Sequence, residues 1–82
     1  MIQLYIRHLM RDTDKQYEYI KDVNSLSDAF EYLESIGESR ERYTRCWIEG
    51  ADVVFDYGSW SKYIVLRFES DEAATAYLTK ED

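Results

Sequence analysis

The chain has 82 residues, 45% of them hydrophobic and 16% aromatic, and its 17 acids against 10 bases leave a formal charge of −7. This length suits one domain, 1–82, with a small core, and this hydrophobic content excludes a chain that stays unfolded. The negative field disfavours nucleic-acid phosphates and anionic membranes as partners and favours proteins with basic surfaces.

The first ten residues alternate Ile2, Leu4 and Ile6 with Gln3, Tyr5 and Arg7, the period of a strand. Arg11 to Lys15 is polar turn material, and QYEYIKDV reads as a returning strand. NSLSDAFEYLESIG then carries a helix. Ser25 and Asp28 make a capping-box-like start, and Leu26, Ala29, Phe30 and Leu33 recur at i, i+3, i+4 and i+7, with Ile36 on the flank. Asp28, Glu31, Glu34 and Glu38 fall on the opposite side, and Gly37 stands where a helix ends in the left-handed conformation.

From Arg42 the period returns to two. RYTRCWIE, DVVFDY and KYIVLRFE read as strands joined by Gly50-Ala51, suited to a type II′ hairpin, and by GSWS. SDEAATAYL closes the chain as a short helix capped by Ser70 or Asp71, with Ala73, Ala74, Tyr77 and Leu78 on its buried side. The order is ββαβββα, an α+β fold with a mostly antiparallel sheet, the amphipathic helix packed on one face.

Tight connections fix a register. Ile48 faces Val53, Cys46 faces Phe55, Phe55 faces Ile64 and Val53 faces Leu66, so these residues share a buried face with Tyr57 at its edge. The other face pairs Arg45 with Asp56 and Asp52 with Arg67. It also carries an apolar stripe of Trp47, Val54, Val65 and Tyr63, to be covered by the C-terminal helix or by a second chain. Trp60 falls in the loop between the last two strands.

Chemistry-bearing motifs are scarce. Cys46 is the single cysteine and His8 the single histidine, which excludes an internal disulfide and a zinc site built from those ligand types. A Cys–His nucleophile would need those two residues, and Cys46 is expected inside the sheet as a small hydrophobe. Gly37, Gly50 and Gly58 are isolated and form no phosphate-cradling loop. RDTDK lacks the remaining ligands of a calcium loop. We therefore expect no enzyme, no cofactor and no metal. MIQLYIRHLM is too short and charged for a signal peptide, and no apolar run spans a bilayer, so a cytoplasmic protein without membrane contact is expected. Arg40, Arg42 and Arg45 lie near Tyr43 and Trp47 but are interrupted by Glu38, Glu41 and Glu49, which argues against direct nucleic-acid binding.

The phrase VLRFESDEAATAYL resembles the strand-then-helix phrase of RNA-recognition and other ferredoxin-like domains, without their paired aromatic signatures. It implies a strand feeding a capped helix and no function. In profile, a compact, proline-free acidic chain is similar to small phage-encoded inhibitors of host defence, the anti-CRISPR and DNA-mimicking anti-restriction proteins. That resemblance implies a binding module whose Asp28, Glu31, Glu34 and Glu38 meet a basic groove while Trp47, Trp60 and Tyr63 act as anchors. The alternatives are a homodimer joined through Trp47, Val54 and Val65, and a small-molecule binder or enzyme of unrecognised type.

Overall fold

The computed structural model describes residues 1–37, 45–58 and 61–81. It contains β1 (Ile2–His8), β2 (Tyr17–Val23), α1 (Leu26–Ser35), β3 (Arg45–Glu49), β4 (Asp52–Asp56), β5 (Lys62–Arg67) and α2 (Asp71–Glu81). A single 3₁₀ turn, Thr13–Lys15, joins the first two strands. The expected α+β order is present. The strands form one five-stranded antiparallel sheet in the order β2-β1-β5-β4-β3.

The register expected for the second half is observed residue for residue: Cys46 with Phe55, Ile48 with Val53, Val53 with Leu66 and Phe55 with Ile64. Gly50 has φ +63° and no non-glycine residue described has positive φ, so the Gly50-Ala51 connection is the type II′ turn. A second backbone bond, from Phe68 N–H to the Ala51 carbonyl at 2.8 Å, fixes this turn against the end of β5.

The core lies on one face of the sheet. Leu4, Ile6, Val53, Phe55, Ile64 and Leu66 meet Ala29 and Leu33 of α1, with Phe30 edge-on to Phe55 and Tyr57. Ser25 caps α1: its Oγ accepts from the Asp28 N–H at 3.1 Å, and the Asp28 carboxylate accepts from the Asn24 N–H at 3.2 Å. The return bond of the box thus lands one residue earlier than usual. Gly37 ends the helix with φ +77°. Ile36 is exposed and lies outside the core.

The terminal helix packs on this same side. Ala74 joins the core, Phe68 packs 5.0 Å from Tyr77, and the Tyr77 hydroxyl accepts from the Leu26 N–H at 3.1 Å. Ser70 is its cap, accepting from the Ala73 N–H. Of the two covers expected for the Trp47 stripe, α2 is therefore excluded. A helix whose Ala74 lies in the core and whose Tyr77 sits beside Phe68 and the start of α1 cannot reach the opposite face.

Candidate functional site

With both helices on one side, the other face of the sheet carries no helix among the described residues. Strand alternation places Gln3, Tyr5 and Arg7 of β1 there, beside Tyr63, Val65 and Arg67 of β5, Asp52, Val54 and Asp56 of β4, and Arg45, Trp47 and Glu49 of β3. Val54 and Val65 are nevertheless fully buried. Tyr5 stands directly across from Val65, and Trp47 directly across from Val54.

Strand β2 joins this face through an irregularity. Lys21 pairs with Leu4 and Tyr19 pairs with Tyr5, which leaves Ile20 as an extra residue. The bulge turns Ile20 toward the core and sends Tyr19 and Tyr17 to the open face. Tyr5 is then edge-on to Tyr17 at 6.0 Å and to Tyr19 at 5.6 Å, while Trp47 is edge-on to Tyr63 at 5.1 Å.

Guanidinium groups cap the rings. Arg67 lies 4.5 Å from the Tyr5 centroid and 5.0 Å from that of Tyr17, Arg7 lies 5.4 Å from Tyr17, and Arg45 lies 5.1 Å from Trp47. Each arginine is held by a carboxylate on the same face. Arg67 donates from Nε and Nη2 to Asp52 at 2.7 and 3.0 Å, and Arg45 donates to Asp56 at 2.9 and 3.2 Å. Arg7 reaches Glu49 at 3.3 Å, and Glu49 also accepts from the Trp47 indole at 2.7 Å. Arg7 and Glu49 stand at diagonal corners with β5 and β4 between them, so this contact requires the sheet to coil over the face.

The titration shifts follow these partners. Asp52 raises the Arg67 guanidinium above its ordinary range, and Asp56 does the same to Arg45. The Gly58 N–H and then Arg45 hold Asp56 below the usual carboxylate range. A hydrogen bond to Asp22 raises Tyr19. Three arginines against Glu49, Asp52 and Asp56, with Asp22 at the margin, leave this face near electrical balance. Most of the −7 charge of the chain lies elsewhere.

The residues expected to act divide as follows. Trp47 and Tyr63 are brought into contact on the open face. Asp28, Glu31 and Glu34 are exposed on α1, and the first two line a groove of about 390 Å³ together with Lys21, Asp22 and Tyr32. Glu38 and Trp60 lie outside the described residues, as do Arg40, Arg42 and Tyr43. Cys46 packs against the core on β3, and His8 stands at the end of β1, bonded to Glu18 at 2.7 Å. Three strand spacings separate those two strands, roughly 14 Å, so the pair makes no nucleophile–base dyad.

Tyr5, Tyr17, Tyr19 and Arg7 were not singled out by their motifs. Tyr5 and Arg7 were visible as the outward set of the first strand, whereas no local signal marked the bulge that exposes Tyr17 and Tyr19.

Arg67 covers one face of the Tyr5 ring while it holds both of its bonds to Asp52. What the face offers instead is ring edges, phenolic hydroxyls and the remaining guanidinium N–H groups. Among the described residues, no group of three or more His, Cys, Asp or Glu is placed to hold a metal ion, and no helix is long and apolar enough to cross a membrane. No protein-family model, curated protein or solved structure matches the chain.

Proposed function

We propose that the chain is a small acidic protein-interaction module, and not an enzyme, whose contact surface is the open sheet face. One observation carries this reading: five aromatic rings and three arginines share a face that bears no helix among the described residues, and they are already held in place by mutual contacts. Tyr, Trp and Arg dominate the energetics of protein interfaces, and side chains ordered before binding lose little entropy on contact. Direct nucleic-acid binding is disfavoured by the occupied ring faces and by the charge.

The exposed Asp28, Glu31 and Glu34 row supports a partner with a basic surface, met through the helix layer. Nucleic-acid-binding proteins offer such surfaces. On that ground the finer reading is an inhibitor of a host protein of that class, phage-encoded and cytoplasmic, of the anti-CRISPR or anti-restriction kind.

The test is affinity capture with immobilised wild type, a Tyr19→Lys/Trp47→Glu variant and a Glu31→Lys/Glu34→Lys variant, beside a fluorescence titration with single-stranded oligonucleotide. The sheet variant should lose a protein that the wild type holds, and the oligonucleotide should leave tryptophan emission unchanged. The helix variant should weaken capture most at low salt. Capture unaltered in the sheet variant would refute the reading of the face.

A further inference from the structure

We propose that the occupant of the open sheet face is a second copy of this chain, joined face to face across a two-fold axis. The inference rests on the reading of that face as the contact surface, and it names the partner.

Charge is the first argument. Two molecules of charge −7 repel wherever their acidic surfaces meet. The helix layer, with Asp28, Glu31 and Glu34 exposed on α1 and Asp71 and Glu72 on α2, offers no such meeting place. The sheet face does, because its arginines are matched by carboxylates in the same plane. A face-to-face arrangement also turns both helix layers outward. Sheets stacked about 10 Å apart then hold those acids well beyond the Debye length of about 8 Å.

Size is the second. Five strands about 4.8 Å apart, five to seven residues long, span a face of roughly 20 Å by 20 Å. Two such faces contribute roughly 800 Å² in projection, and side-chain relief brings the buried total to about 1,000 Å², the lower bound for a specific interface. An interface of that size makes a reversible dimer and not an obligate one. The composition fits this class: the apolar floor, Val54 and Val65, is already buried within the monomer.

Sedimentation equilibrium across about 5 μM to about 1 mM protein reads the association directly. The wild type should rise from the 9.8 kDa monomer mass toward twice that value. Tyr19→Lys and Trp47→Glu should each raise the dissociation constant at least about tenfold, while Glu31→Lys should leave it in place or lower it. Tyr19 is half exposed in the monomer, so its replacement leaves the fold intact, and circular dichroism checks this for both variants. A wild type that stays monomeric at about 1 mM overturns the second-copy inference alone, because capture of a different protein by the same face is read in a separate assay. A dimer that survives both sheet substitutions overturns the inference, because self-association then uses another surface, while the proposed function still stands or falls by the capture assay.

Discussion

The Asp52–Arg67 pair is where the open face is most exposed to disproof. Asp52 is the one buried charged residue described, 6% exposed, and Arg67 supplies two of its bonds. Replacing Arg67 with Met keeps the stem and deletes both bonds together with the cap over Tyr5. Breaking a fully buried pair from one side costs about 3–5 kcal/mol. The Arg67 side chain is 36% exposed, so water reaches the vacated site, and the cost falls to about 2–3 kcal/mol. The lost ring contact, about 0.5–1 kcal/mol, lies within that range. For a domain of this size the melting temperature should drop by roughly 10–20 °C. Urea denaturation at low micromolar protein, where self-association contributes nothing, gives the free energy. Asp52→Asn and the double variant complete the cycle, and the double should cost at least about 1 kcal/mol less than the sum of the singles. An Arg67→Met protein within about 0.5 kcal/mol of wild type, or additive costs, would show that the rings cover the face without the arginine.

Ser25→Ala should cost about 1 kcal/mol by orphaning the Asp28 N–H, and Ser25→Asp should restore most of it, both read by urea midpoint. Gly50→Ala should cost about 1 kcal/mol through its φ of +63° alone, since an added Cβ approaches nothing nearer than Asp71 Oδ1 at 3.8 Å; an unchanged midpoint would remove the type II′ assignment. Asp56 is depressed in the folded chain relative to its ordinary 3.8, so the unfolded chain binds the proton first and stability rises with pH in that window. The difference between wild type and Asp56→Asn should be fully present above pH 3.8 and vanish as pH falls through the lower folded value. In Arg45→Ala the Asp56 carboxyl, followed by NMR, should rise only part of the way, because the Gly58 N–H still donates to it at 2.8 Å.

Local pattern carried much of this fold and little of its function. Tight connections pinned the β3–β4–β5 pairings, because a one-residue slip would expose Val53, Phe55 and Leu66 together. The capped helix was legible for the same reason: Ser25, the apolar stripe and Gly37 agree on one segment. The insertion of β1 between β2 and β5 was not legible, since a strand's periodicity records which face is buried and not which neighbour it finds. The bulge at Ile20 hid the site further. Read at period two, Tyr17, Tyr19, Lys21 and Val23 share one face, and the tyrosines vanish into the core. One unpaired residue reverses that, and the resulting exposure of Tyr17 and Tyr19 can be seen only once pairing with β1 is known. The acidic row was visible and is exposed, but exposed carboxylates alone do not say what they face.

The β1–β5 seam has a kinetic consequence. Two antiparallel units, the β1–β2 hairpin with α1 and the β3–β4–β5 meander, can each form from contacts close in sequence. The sheet exists only when Gln3 has met Arg67 and Leu4 has met Leu66, so its closure waits for almost the whole chain. Such long-range pairing slows folding relative to local hairpins of similar stability. On the ribosome, the β1 edge stays open until β5 emerges, which makes the nascent chain most prone to wrong strand pairing in that interval.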